Sequence, residues 1–243
     1  MGALSRPCFV LVHGAWHGGW CWDGVAERLQ EKGHRCFAPT LRGLAHRKDL
    51  LTPELDADAH VEDVANLIEA LDLRNVILVL HSYAGLLGPA LQARLDDRLD
   101  TLCLIEAVVP RQGQGMLDLI APSFAQRLAQ SVADRGLGWR IPPPDPAQFQ
   151  LGNADLAEEV SRRLTPHPWR SFQEPVRAPQ ADVFERPGSY VLSSDRDPQP
   201  YADFAVAAMA AGWKVTSMPG GHLLMLTQPA AIAQHLLSLA SKE

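Results

Sequence analysis

The chain has 243 residues, 47% of them hydrophobic and 21% charged, which is apolar material enough for one sizeable core and unlike a disordered chain. Lys and Arg number 22 against 28 acidic residues, a formal charge of -6, and no basic cluster offers the footprint a phosphate backbone requires, so nucleic acid is not an expected partner. No apolar run approaches the ~20 residues of a bilayer span, so no membrane association is expected either.

The opening Met-Gly-Ala-Leu-Ser-Arg lacks the apolar core of a secretion signal and carries Arg6 where a myristoylation signal wants Ser or Thr, so a cytoplasmic protein is expected. Cys8, Cys21, Cys36 and Cys103 form no C-x-x-C pair, and three of them fall in strand-like apolar runs. There Cys serves as a small reduced core residue.

In chain order, short apolar runs at 8–12, 35–38, 76–80, 102–105, 190–192 and 214–218 alternate with helical patterns. Their unbroken Val, Ile and Leu content predicts strands covered on both faces, hence an α/β fold with a mostly parallel six-stranded sheet and flanking helices. The 58–71 stretch puts Val61, Val64, Ile68 and Leu71 on one helical face, with Asp56 or Asp58 as the cap. The 83–95 stretch is apolar nearly all round and predicts a central helix directly after the third strand. A last helix carries Ile232, Leu236 and Leu239 on its buried stripe, with Thr227 as its cap and Pro229 in its first turn.

The alternation breaks between Pro110 and Pro187, 78 residues that hold nine of the nineteen prolines within 141–187. Leu117, Leu119, Ile120, Phe124, Trp139, Phe149, Trp169 and Phe172 give this stretch enough bulk to pack, and 116–132 reads as an amphipathic helix. It predicts a cap over residues 110–187, inserted before the penultimate strand at the C-terminal edge of a core made of 1–109 and 188–243.

The chemistry gathers at that edge. His81-Ser82-Tyr83-Ala84-Gly85 joins the third strand to its helix, so Ser82 occupies a sharp turn that lifts its hydroxyl over the sheet. The first N–H groups of the helix then face the site where an oxyanion would form. Asp197 follows the fifth strand, and Gly220-Gly221-His222 follows the sixth, giving nucleophile, acid and base in the order Ser, Asp, His. His13-Gly14-Ala15-Trp16 leaves the first strand as a loop able to turn backbone N–H groups to the same place. Asp195, beside Asp197, and Glu106, at the end of the fourth strand, are alternative carboxylates, since an acid reaches the imidazole from either strand end.

The run from Phe9 to Trp22, Phe-Val-Leu-Val-His-Gly-Ala-Trp-His-Gly-Gly-Trp-Cys-Trp, resembles the opening of the α/β-hydrolase branch that contains plant methylesterases, hydroxynitrile lyases and small bacterial esterases. The resemblance extends to about Leu239 and is loose in the cap. It implies the α/β-hydrolase fold, with Ser82 as nucleophile, His222 as base, Asp197 as acid and the N–H groups of Ala15 and Tyr83 as the oxyanion hole. Where the family's elbow has glycine on both flanks of the serine, this chain has Leu80 and Ala84. The lyases of the branch carry Lys after the catalytic His and Thr after the first His; Leu223 and Gly14 match the esterases instead.

The expected activity is therefore that of a serine carboxylesterase on a small to medium, largely apolar aryl or alkyl ester, through an acyl-enzyme and without a cofactor. A lyase, cyclase or thioesterase reaction on the same Ser and His is the rival, and a non-catalytic ligand-binding protein a more distant one. Trp16, His17, Glu106 and Trp169 are candidates for the pocket, and a homodimer is compatible with the sequence. His13 and His17 form an H-x-x-x-H pair but lie on a loop with no third ligand nearby, so no metal is expected.

Overall fold

The computed structural model describes residues 6–197 and 199–241; the amino-terminal stretch weighed for a targeting signal lies largely outside them. Among the described residues eight strands are present: β1 (Cys8–Val12), β2 (Cys36–Phe37), β3 (Val76–His81), β4 (Leu99–Ile105), β5 (Arg140–Ile141), β6 (His167–Pro168), β7 (Gly188–Ser193) and β8 (Lys214–Met218). Six of them form one parallel sheet in the order β2-β1-β3-β4-β7-β8. β5 and β6 pair antiparallel as a separate ribbon that the sequence reading did not include, because two-residue strands leave no periodicity to read.

Every residue of β1 and β3 is buried, as strands with helices on both faces must be. The chain leaves β1 toward β2, then returns across it to β3, and right-handed crossovers therefore put the first and second connecting helices on opposite faces. Asp23–Glu31 packs with Pro229–Ala240, and Ala57–Ala70 packs with Gly88–Arg94. Asp56 caps Ala57–Ala70 by accepting the N–H of Ala59, a contact worth ~1 kcal/mol. Val61, Val64, Ala65 and Ile68 form its buried face.

Three expected helices change shape. After β3 the chain makes a 3-10 helix, Ser82–Leu87, before the α-helix Gly88–Arg94 begins; a Cβ on Gly85 would lie 2.0 Å from the carbonyl oxygen of Val108, so this turn lies hard against the chain leaving β4. The expected 116–132 helix divides into a 3-10 turn, Met116–Asp118, and an α-helix, Pro122–Arg135. Pro122 supplies a preset first turn and Ala121 before it is extended, as a residue preceding proline prefers. Thr227 is not the last helix's cap: it ends a short helix, Leu224–Thr227, and Gln228 precedes Pro229.

Candidate active site

β1, β3 and β4 are neighbours in the sheet, and a residue in the left-handed region follows each of them: Trp16 at φ 66, Ser82 at φ 54 and Glu106 at φ 46. For residues with a Cβ this conformation costs of order 1–3 kcal/mol and persists only where surroundings impose it. At Ser82 it forms the sharp elbow the sequence predicts. A Cβ on Gly14 would lie 2.9 Å from Cβ of Ser82, so the loop after β1 passes directly beside the elbow. Leu80 fits because Gly88 leaves it room: a Cβ there would meet Leu80 Cδ1 at 3.1 Å. The missing flanking glycine is thus offset by one on the following helix.

Ser82 Oγ lies 2.9 Å from Nε2 of His222. On the other side of the ring, Nδ1 lies 3.3 Å from Oε2 of Glu106. Glu106 is fully buried, and its other oxygen, Oε1, accepts the N–H of Ser193 at 2.8 Å and Nε2–H of Gln199 at 2.9 Å. Its backbone is fixed as well, its N–H donating to the carbonyl of Val191, while the Tyr190 hydroxyl bonds both polar backbone atoms of Ala107. Arg196 approaches Oε2 at 3.6 Å.

Burial and the Arg196 charge shift the titration of both Glu106 and His222. Burial raises the Glu106 carboxyl to about 7, against the lowering effect of the Ser193 N–H, Arg196 and Gln199. Burial, with the positive charge of Arg196, holds His222 well below the ordinary imidazole value. A neutral imidazole donating from Nδ1 to a carboxylate leaves Nε2 as an acceptor for the serine proton.

The loop carrying His222 is tied at both ends: its N–H donates to the carbonyl of Phe149 at 2.9 Å, and its carbonyl accepts Nε2–H of His81 at 3.0 Å. Two rings lie near-parallel to the imidazole, Tyr201 at 5.4 Å and Phe149 at 6.3 Å between centroids. The Tyr201 hydroxyl is 3.4 Å from Ser82 Oγ.

Asp197, expected to face His222, lies exposed on the loop after β7 and makes no hydrogen bond with it. That side of the ring is filled by Glu106, which sequence reading carried as an alternative acid and as a pocket residue. Asp195 is also exposed, and its carboxylate accepts the N–H of Gly220 at 2.8 Å, so it supports the turn that leads into His222. Of the other pocket candidates, Trp16 lines the cavity over Ser82. His17 is turned away, donating Nδ1–H to the carbonyl of Ala15 at 2.7 Å, with its ring against Trp20 and Phe149. Trp169 lies behind the wall, stacked on Phe172.

The cavity over Ser82 measures about 390 Å³ and is walled by Trp16, Met116, Leu119, Phe124, Phe149 and Phe172, among others. Most of this wall comes from the 110–187 stretch. Ala15 and Tyr83 reach the cavity beside Ser82, and Tyr83 is the second residue of its helix, where a backbone N–H has no partner within the helix. Arg196, Arg127 and Tyr201 also line the cavity. Sequence reading singled out none of the three, and only the Ser-Asp-Arg-Asp run around Arg196 offered any signal. A larger groove of about 690 Å³ shares Leu119 and Pro200 with this cavity but does not reach Ser82.

Comparison with known proteins agrees with this architecture. The family described as "Alpha/beta hydrolase family" matches residues 9–235. A carbendazim hydrolyzing esterase of Nocardioides sp. (strain SG-4G) is 32% identical over 240 residues, covering 95% of this chain and 98% of that one. Methylesterase 10 of Arabidopsis thaliana is 26% identical over 264 residues, covering 96% and 92%. An extracellular alpha/beta-hydrolase from a Paenibacillus species superposes with a TM-score of 0.83 at 21% identity, covering 97% and 99%, a likeness of fold. The chain belongs to the alpha/beta hydrolase family and is an ester-hydrolysing member of it.

Proposed function

We propose that the protein is a serine carboxylesterase in which Ser82 is the nucleophile, His222 the general base and Glu106 the acid. The observation that carries the reading is the unbroken chain from Ser82 Oγ through both ring nitrogens of His222 to a buried carboxylate, at the floor of an apolar cavity.

As Ser82 Oγ attacks the ester carbon, its proton passes to Nε2 of His222 and the carbonyl π pair becomes an oxyanion. The N–H groups of Ala15 and Tyr83 stabilise that charge. Collapse expels the alkoxide or aryloxide, which takes the proton from Nε2. A water then repeats the sequence on the acyl-enzyme and releases the acid. Glu106 holds the productive tautomer and stabilises the imidazolium.

The 110–187 stretch acts as a cap in this reading, because it builds most of the cavity wall. A volume of about 390 Å³ with aromatic and aliphatic walls suits small to medium aryl or alkyl esters, and methyl esters, for which the plant relatives are named, fall in that class. The four cysteines are all free thiols, which supports a reducing, cytoplasmic setting. Ser82→Ala should abolish hydrolysis of 4-nitrophenyl acetate while leaving the circular dichroism spectrum unchanged. Full turnover by the folded variant would overturn the assignment.

A further inference from the structure

Trp16 is held by the 110–187 stretch at every polar atom it has. Its N–H donates to Nδ1 of His167 at 3.4 Å, its carbonyl accepts the N–H of Thr165 at 3.0 Å, and its indole Nε1–H donates to the carbonyl of Ile141 at 3.3 Å. Ile141 and His167 face each other in the β5–β6 ribbon. A bulky residue at φ 66 relaxes toward extended backbone unless something holds it.

The peptide that joins Ala15 to Trp16 is gripped from both sides by histidines. Its carbonyl accepts Nδ1–H of His17 and its N–H meets Nδ1 of His167. The tautomer of His167 is fixed by its neighbour: the Ser171 hydroxyl donates to the carbonyl of Pro168 at 2.8 Å, so toward Nε2 of His167, 3.0 Å away, it can only accept. That places the proton on Nε2 and leaves Nδ1 as the acceptor the Trp16 N–H requires. His167 is fully buried and packs edge-on against Tyr83, the other residue assigned an oxyanion donor.

We infer that His167 is a positioning residue that makes the oxyanion hole depend on the seating of the cap. With the ribbon in place, the Ala15–Trp16 peptide is locked, and Ala15, whose donor N–H lies on the preceding peptide, is held from its carbonyl side; with the ribbon displaced, Trp16 can leave the left-handed region, the loop after β1 shifts and that donor loses its aim. The cap thus contributes to transition-state stabilisation as well as to choice of substrate. This rests on the assignment of Ala15 as a donor in a Ser82 esterase.

The test compares His167→Leu with His167→Asn, whose side-chain oxygen can occupy the place of Nδ1. Wild type and Ser82→Ala are assayed first, since absence of Ser82-dependent turnover would defeat the esterase reading itself before His167 is considered. His167→Leu should lower kcat roughly 10- to 100-fold, short of or equal to the loss of a full oxyanion donor, with KM changed less than about threefold. Its affinity for an aryl trifluoromethyl ketone, which forms an oxyanion-bearing adduct with the serine, should fall by the same factor. Affinity for the unreactive methyl ketone should not change, and His167→Asn should restore kcat. The inference is overturned if His167→Leu keeps wild-type kcat, if His167→Asn is equally impaired, or if both ketones weaken together. Should His167→Leu fail to fold, Ser171→Ala keeps the ring but frees its tautomer; a fall in kcat at constant KM supports the inference, and an unchanged kcat overturns it.

Discussion

The ends of β4 and β7 lie side by side in the sheet, and each carries acidic residues toward the loop that holds His222. Their construction is opposite. At the end of β4, Glu106 is buried, locked in a left-handed turn and bonded to His222, Ser193 and Gln199. At the end of β7, Asp195 and Asp197 are exposed, one supporting a turn and the other making no contact with the imidazole. A carboxylate can orient an imidazole from either strand end, and what separates the two is desolvation together with fixed backbone donors. The larger reach of Glu suits the more distant strand end, because one extra methylene carries the carboxylate under the ring.

Glu106→Gln should break this arrangement most severely. The N–H of Ser193 and Nε2–H of Gln199 claim the amide oxygen at the Oε1 position, so the amide NH2 faces Nδ1 of His222 and forces the proton onto Nε2, the wrong tautomer for a base. A loss of about 10³- to 10⁴-fold in kcat follows from tautomer control of this kind, measured by steady-state hydrolysis of an activated aryl ester. A residual rate within tenfold of wild type would place the orienting carboxylate elsewhere.

The second expected effect is on pH dependence. Glu106 is raised to about 7 by burial, and catalysis requires it ionised, so kcat/KM should fall about tenfold per pH unit as the pH drops below roughly 7. His222 is depressed by burial, so it stays neutral over that range and does not set this limb. The Arg196 charge lowers Glu106; Arg196→Gln should therefore move the acid limb upward. An acid limb unmoved by that substitution would show that the carboxylate behind it is not Glu106.

Much of the site was legible because its signals are local. Ser82 sits between an apolar run and a helix, His222 follows a Pro-Gly turn, and Ala15 follows His-Gly at a strand end; in each case, adjacency in sequence dictates position at the sheet edge. The sheet was legible for the same reason, even though β8 alternates only weakly. The choice among the candidate carboxylates Asp197, Asp195 and Glu106 was not, because exposure of Asp197 and burial of Glu106 depend on chain segments 93 residues apart, such as Gln199 and Glu106. The cavity wall depends similarly on which face of each short helix in 110–187 turns inward. There, apart from the α-helices Pro122–Arg135 and Ala154–Arg163, proline breaks leave elements of two to four residues, too short for a period.

A smaller effect is expected from Asp195→Ala. It removes the acceptor for the Gly220 N–H, a hydrogen bond of ~1 kcal/mol, and loosens the turn that leads to His222 without touching the imidazole. Turnover should fall by no more than roughly tenfold, since only the fraction of time His222 spends aligned is reduced. The pH profile should keep its shape, because Glu106 and His222 are untouched; a displaced acid limb would mean that the substitution acts on that pair directly and not through the turn.

The smallest effect should come from Asp197→Asn. The substitution is isosteric and the residue is exposed, and its charge lies in high dielectric, where its influence on a buried imidazole is screened. Were Asp197 the orienter, the same change would cost as much as Glu106→Gln. With the carboxylate already supplied from β4, kcat should stay within about twofold of wild type. Combined with Glu106→Gln, it should add nothing further, because two residues that share no partner contribute independently. A double variant markedly worse than Glu106→Gln alone would show that the loop after β7 swings in to substitute for the missing acid, making the two strand ends interchangeable.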